Sequence, residues 1–196
     1  MQNRSEETRG RISQTAMRLF GEKGYQATGV AEICAAAEVS KGAFYHHFPS
    51  KQDLFVTLLE TWLLGVDDAL RSAAQDTPSV PDGLLAMAAA TREVFTAADG
   101  RLEIFLEFWE QARHDPRIWK AFIAPYHRYH DFFAQIVQRG IQEGSFRDLD
   151  AQVAGQALVA LAVGIVVQGV LDPKGAAWDV VTRDAVGLLM DGMRRR

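Results

Sequence analysis

The residues with the most suggestive chemistry lie between positions 40 and 51. Residues 40–43 read Ser-Lys-Gly-Ala and are small except for the lysine, so a helix that begins there could bring its N-terminus close to a DNA backbone. Free backbone N–H groups and the positive end of the helix dipole favour phosphate at that position. Lys51 and Thr28, each expected at the start of another helix, offer two further phosphate contacts. This pattern predicts a nucleic-acid-binding surface.

Three short helices are predicted to position these residues. The first spans about 5–22, the second opens at Thr28, whose hydroxyl can cap it, and the third opens at Ser40 as its N-cap. A tight turn joins the last two, which describes a helix-turn-helix. Residues 50–53 then read as a capping box, which predicts the start of a long fourth helix.

The remaining sequence predicts five more helices and shows no strand-like alternation. They cover about 82–97, 100–114, 116–142, 150–171 and 178–193. Pro125 lies inside the 116–142 helix and should kink or break it. Asp148 or Asp150 caps the helix that follows. We therefore predict an all-α fold of about nine helices.

The charge of the chain is distributed unevenly. The net charge is −4 over 196 residues, which is unusual for a nucleic-acid binder. Residues 1–51 nevertheless carry seven Lys/Arg against five acids, a balance of +2, and the remainder carries 14 bases against 20 acids. Because a DNA footprint needs only a local basic patch, the total charge does not exclude DNA. Arg4 and Arg9 could add a basic arm to that patch.

Composition and motifs favour a reduced, cytoplasmic protein that is not an enzyme. Cys34 is the single cysteine, which excludes an intramolecular disulfide, and the N-terminus has no apolar signal segment. The longest apolar stretch, 157–167, is shorter than the ~18 residues of a membrane span. His127 and His130 could ligate a metal, but no third ligand is evident. We therefore expect no catalytic residue, metal, cofactor or membrane.

A dense set of positions within residues 8–55 also carries a family resemblance. They are Leu19-Phe20, Gly24-Tyr25, Thr28, Ile33, Ala37, Val39-Ser40, Gly42, Tyr45-His46-His47-Phe48, Ser50-Lys51 and Leu54. This segment resembles the DNA-binding domain of the TetR family of bacterial transcriptional regulators. It covers about a quarter of the chain, and the rest is similar to the family only in being helical and of suitable length. One departure is Glu38, where glycine is common in the turn.

The resemblance implies a homodimeric regulator, most often a repressor, that binds palindromic double-stranded operator DNA and is released by a small-molecule effector. It implies a helix-turn-helix domain at residues 1–50 and an effector-binding and dimerisation domain at 51–196. An all-α small-molecule-binding protein or enzyme with a vestigial DNA-binding head is the alternative. The DNA-contacting residues that it implies, together with the small Gly42, are Thr28, Ser40, Lys41, Ala43, Tyr45, His46 and Lys51.

Two features of the C-terminal region suggest further sites. The helix around 157–167 is apolar nearly all round, so a second subunit could cover one side, although a wholly intramolecular core is the alternative. The candidate dimer-interface residues are Leu158, Leu161, Ile165, Gln168, Val181 and Leu188. Residues 101–133 are rich in aromatics, which are core in most proteins but here could line a pocket for an apolar or aromatic effector. The candidate wall residues are Phe105, Trp109, Phe122, Tyr126 and His127.

Overall fold

The structure is a computed structural model that describes the backbone of residues 2–97 and 103–195 and the side chains of residues 4–90 and 106–195. These residues form nine helices: α1 (Gln2–Lys23), α2 (Val30–Ala36), α3 (Lys41–His47), α4 (Lys51–Ala74), α5 (Val80–Ala97), α6 (Glu103–His114), α7 (Pro116–Gln142), α8 (Ala151–Leu171) and α9 (Trp178–Met193). The predicted all-α fold is confirmed.

Local capping chemistry explains where several helices begin. The Ser40 hydroxyl accepts a hydrogen bond from the Ala43 N–H at 3.1 Å and so caps α3, as predicted. Ser50 accepts from the Asp53 N–H at 3.0 Å and donates to its carboxylate at 2.6 Å, which confirms the capping box before α4. The Asp150 carboxylate accepts from two backbone N–H groups at the start of α8.

One sequence prediction about a helix boundary is wrong, and of the kink or break predicted at Pro125 the break does not occur. The second helix begins at Val30 with Gly29 as its N-cap, because the Thr28 hydroxyl is buried and donates to the Gly24 carbonyl at 2.9 Å instead. The seventh helix is not broken at Pro125 but continues from Pro116 to Gln142.

Helix α8 is apolar over a longer stretch than the 157–167 segment used to judge a membrane span. An 18-residue window of α8 has a mean hydropathy of 2.0, so by length and composition this helix could cross a membrane. The flanking small residues keep the average high beyond the 157–167 core. Only 28% of that window is buried within the chain, and the core helix of a soluble protein passes the same test. Most of this apolar window is therefore not buried within the part of the chain that the structure describes.

The first compact unit contains residues 1–63 and 100–122. Within it α1 packs against α2, α3 and α6. Phe55 lies at the centre, with its ring centroid 4.4 Å from those of Tyr25 and Phe108 and 5.4 Å from that of Phe20. The packing unit differs from the predicted division at residue 50, because α6 packs with the N-terminal helices. The functional division at residue 50 stays a prediction.

The second compact unit contains residues 64–99 and 123–196. Helix α9 packs against both α5 and α8. Helices α7 and α8 cross closely at Gly155, where a Cβ atom would stand 2.7 Å from the Ala134 backbone nitrogen. The end of α9 is fixed by the Arg147 N–H, which donates to the Met193 carbonyl at 2.9 Å, and by a bridge between Phe146 and Arg194.

Candidate nucleic-acid interface

Helix α3 divides its side chains between the core and solvent. Phe44 and the C-cap residue Phe48 are buried, and they anchor the helix to the first unit. Lys41, Tyr45 and His46 are exposed, and the Tyr45 side chain is 52% exposed although it is large and aromatic. The arrangement leaves one complete face of α3 free for a partner.

The turn before α3 fixes the angle at which that face is presented. Glu38 has a φ of 54°, in the left-handed region that a glycine adopts more easily. Its N–H donates to the Ala35 carbonyl at 3.2 Å, and the Val39 N–H donates to the Cys34 carbonyl at 2.9 Å. Backbone hydrogen bonds therefore hold the turn although its residue is not glycine. Two short helices joined in this way form the helix-turn-helix that the sequence predicted.

Two of the residues predicted to contact phosphate make hydrogen bonds within the chain. The Lys51 ammonium donates to the Tyr25 carbonyl at 2.8 Å and to the Thr28 carbonyl at 2.9 Å, and it lies 4.2 Å from the Tyr25 ring centroid. Burial lowers the pKa of Lys51, and the Glu107 carboxylate partly opposes that shift. Thr28 is fully buried. Both residues hold the segment between α1 and α2, and their contacts with DNA stay predictions.

Apart from Lys51, the lysines and arginines of residues 1–51 fall into two sets, those with an acidic partner and those without one. Arg18 pairs with Glu22 at 3.0 Å, and Lys23 pairs with Glu32. Arg4, Arg9, Arg11 and Lys41 have no acidic partner within ion-pair distance in the part of the chain that the structure describes. A cation without a carboxylate partner keeps its full charge for an external anion. Of these unpaired cations, Lys41 and Arg9 lie at α3 and are therefore placed to meet DNA that contacts this helix.

The C-terminal end of α3 carries a cationic and imidazole cluster that includes Arg9. The Arg9 guanidinium carbon lies 5.0 Å from the Phe48 ring centroid, and the rings of His46 and His47 are 5.1 Å apart. Burial lowers the pKa of His47, and the nearby charges of His46 and Arg9 lower it further. Arg9 belongs to α1, so residues 4 and 9 lie within a helix rather than in a separate arm.

Helix α6 holds the segment that leads into the helix-turn-helix. The Glu107 carboxylate accepts a hydrogen bond from the Tyr25 N–H at 2.9 Å, and the Gln26 side chain donates to Gln111 at 2.8 Å. Gln111 is buried. The sequence analysis did not identify this contact, because no local pattern links residues 82 positions apart.

The predicted effector residues belong to two different compact units of the described chain. Phe105 lies in α6, but its side chain is outside the described residues. Trp109 is 45% exposed and belongs with the half-buried Phe122 to the first unit, whereas Tyr126 and the exposed His127 belong to the second. These assignments remain untested.

His130 differs from its neighbour His127. Its Nε2 atom is buried and has no hydrogen-bond partner among the described residues, and its ring lies 4.3 Å from that of Tyr126. A buried polar atom without a partner is uncommon and requires an explanation. The sequence paired His130 with His127 as possible metal ligands. The described residues contain no group of three or more side chains that could hold a metal ion.

The predicted dimer residues divide between the core and the surface of the second unit. Leu158 and Ile165 are each only 4% exposed within one chain, Leu161 and Val181 are half-buried, and Gln168 is exposed. Leu188 is 75% exposed. Three further apolar side chains on α8 and α9 also face solvent, namely Val153, Leu171 and Val180.

These features define the class of protein, which is a helix-turn-helix protein with exposed cations at α3. Comparisons with known proteins agree. Residues 12–58 match the family described as bacterial regulatory proteins, tetR family, and residues 82–190 match the BetI-type transcriptional repressor C-terminal domain. The chain belongs to the TetR family and is a transcriptional regulator.

Individual relatives resemble the chain over different lengths. The repressor KstR2 of Mycobacterium tuberculosis is 26% identical over 147 residues, which is 74% of this chain and 72% of KstR2. The regulator YuxN of Bacillus subtilis is 50% identical over 48 residues, but these are only 24% of this chain and 16% of YuxN. A transcriptional regulator from Saccharomonospora viridis, solved with choline, superposes with a TM-score of 0.84 at 23% identity over 97% of this chain and 100% of its own.

Proposed function

We propose that the protein is a homodimeric repressor that binds palindromic operator DNA in the cytoplasm and leaves it when a small apolar or aromatic molecule binds. The observation that carries the DNA-binding part is the exposed face of α3, where the side chains of Lys41, Tyr45 and His46 are open to solvent in the described part of the chain. Ser40, Gly42 and Ala43 let the N-terminus of this helix approach the duplex closely.

The DNA-binding proposal has a matched test. A binding site is first selected from random duplexes, and affinity is then measured over a range of salt concentrations. Lys41→Gln should lower the slope of log affinity against log salt by about 0.9, because one phosphate contact is lost. Arg18→Gln removes the same charge, but Arg18 is already paired with Glu22, so its slope should stay at the wild-type value. Equal slopes for both variants would contradict the assignment.

A second copy of the chain is proposed to cover the apolar surface of α8 and α9. Two half-sites roughly 34–36 Å apart on DNA require a two-fold dimer. Leu188→Arg is the sharper test, because this side chain is 75% exposed in one chain and its replacement leaves the core intact. Light scattering should then give a mass near 21.7 kDa for the folded variant and twice that mass for the wild type. Ile165→Arg should instead unfold the second unit, because Ile165 is buried.

The effector proposal rests on the unpartnered Nε2 of His130. A ligand with one hydrogen-bonding group on an aromatic body would satisfy this atom and pack beside the Tyr126 ring. Titration calorimetry with phenol tests this class, and choline, the ligand of the Saccharomonospora viridis relative, tests a cationic one. Phenol should bind the wild type and His127→Phe, but bind His130→Phe at least about tenfold more weakly, as expected for a lost hydrogen bond of about 1.4 kcal/mol.

Choline binding without phenol binding would refute the apolar or aromatic class. Binding of either compound that leaves the DNA affinity unchanged would refute its role as an effector. DNA binding by the wild type is measured in the same preparation, so failure of the effector proposal is separated from failure of the DNA-binding proposal.

A further inference from the structure

Arg9 lies on the first helix, yet its side chain lies at the end of α3. Its guanidinium carbon is 5.0 Å from the ring centroid of Phe48, the C-cap residue of α3. The positive charge of Arg9 also contributes to the lowered pKa of the neighbouring His47. The contact with Phe48 therefore places this cation beside the C-terminal end of the helix proposed to read DNA.

The Arg9 guanidinium contacts the Phe48 ring and makes no hydrogen bond to the residues that the structure describes. A guanidinium that packs over an aromatic ring is held by its face, while its N–H donors point outward from its edge. Arg9 is exposed and has no carboxylate partner among the residues that the structure describes. This geometry suits bidentate binding of a phosphate, which accepts two parallel N–H donors.

The length of α3 then suggests which phosphate is bound. Seven residues at 1.5 Å per residue give a helix of about 10 Å, close to the width of the DNA major groove at about 12 Å. Lys41 begins α3, and Arg9 lies at its other end. Resting on the DNA-binding function proposed above, we propose that Arg9 binds a phosphate of the strand that borders the groove opposite the strand contacted by Lys41.

Arg11 provides the matched control for this proposal. It lies in the same helix, is exposed, and also has no carboxylate partner in the described part of the chain. Two residues along an α-helix correspond to a rotation of about 200°, so Arg11 projects from the opposite side of α1. It lines a surface groove together with Arg4, Glu7 and Gln14.

The test compares Arg9→Gln with Arg11→Gln on one duplex selected by the wild-type protein. Both variants lose one positive charge, so their long-range electrostatics are matched. Arg9→Gln should lower the slope of log affinity against log salt by about 0.9 and weaken binding about eightfold near 0.1 M salt, as the loss of one phosphate contact requires. Arg11→Gln should keep the wild-type slope and an affinity within about twofold.

Arg9→Lys separates the phosphate contact from a structural role. It keeps the charge but loses the planar guanidinium, so it should retain the wild-type slope with weaker binding. Circular dichroism melting checks that the variants remain folded, and Arg9→Lys is the deciding variant should Arg9→Gln not fold. Equal slopes for Arg9→Gln and Arg11→Gln, or a lowered slope for Arg9→Lys, would overturn the proposal. Failure of the wild-type protein to select any duplex would overturn both this proposal and the DNA-binding function.

Discussion

At Lys51 the family resemblance and the structure predict two different roles, which can be tested against each other. By resemblance this lysine should bind a phosphate, whereas the structure shows its ammonium bonded to the carbonyls of Tyr25 and Thr28. We predict that Lys51→Met destabilises the protein. Methionine keeps most of the apolar stem of the side chain but removes the ammonium group that joins α4 to the segment before α2.

The size of the expected loss in stability follows from the contacts of Lys51. A hydrogen bond to a charged group contributes about 1.5–3 kcal/mol, and an exposed cation–π contact contributes about 0.5–1 kcal/mol. Two bonds at the lower limit and the Tyr25 ring contact give about 3.5 kcal/mol. Lys51 is only half-buried, so solvent screening and hydration of the freed carbonyls reduce this value. Removing a cation from the first turn of α4 also relieves about 0.5 kcal/mol of unfavourable dipole interaction. The net loss expected is about 2 kcal/mol.

Urea unfolding followed by circular dichroism measures this loss at a fixed protein concentration, since a dimer's stability depends on concentration. Lys120→Met is the matched control, because Lys120 is exposed in the same compact unit and should change the stability by less than about 0.5 kcal/mol. A wild-type unfolding midpoint for Lys51→Met would refute the reasoning. If the salt slope of DNA binding then fell by about 0.9, the phosphate role implied by the resemblance would replace it.

Three further predictions concern the second unit. Gly155→Ala should lower the free energy of unfolding, measured in urea, by about 1–3 kcal/mol, because its Cβ would lie 2.7 Å from the backbone of α7. A Cβ at Gly164 would meet nothing within 4 Å, so Gly164→Ala should weaken only dimer association, which sedimentation measures. Burial and the Asp67 carboxylate raise the pKa of Tyr129, so the stability that its protonated form contributes is complete below pH 10 and is lost as the pH rises further. Tyr129→Phe should therefore lose less stability than the wild type between about pH 9 and 11; an unchanged difference would contradict this. Asp150→Ala should lower the melting stability by about 1 kcal/mol through loss of the α8 cap, and no loss would show that cap to be redundant.

The helices were predictable from the sequence because their signals are local. The bounds 116–142 and 178–193 are reproduced by α7 and α9. Ser40 caps α3 because a hydroxyl next to free N–H groups needs only its immediate neighbours. The same locality explains why the match to the family was already visible within residues 8–55.

The contacts that position the candidate site were not predictable in this way. Thr28 has the residue type of a cap, but its hydroxyl turns inward to the Gly24 carbonyl because the surrounding core buries it. Glu107 reaches the Tyr25 N–H, and Lys51 reaches the Tyr25 carbonyl, only after three helices have packed. His130 and His127 look equivalent on a helical wheel, and only burial distinguishes them. Each of these depends on tertiary packing, which a periodic pattern does not specify.

The packing of α5 against α9 has a consequence for how the chain is made. Helix α5 ends at residue 97, and the helix that covers it begins at residue 178 and ends at residue 193. At about 5–20 residues per second, the ribosome needs roughly 5–20 s to synthesise the intervening chain. During that interval Leu84 and Met87, which are almost completely buried in the finished protein, lack their partners Met190 and Met193. A ribosome that stalls within α8 would therefore carry a nascent chain in which the apolar side of α5 is uncovered. Chaperones and proteases recognise such a form.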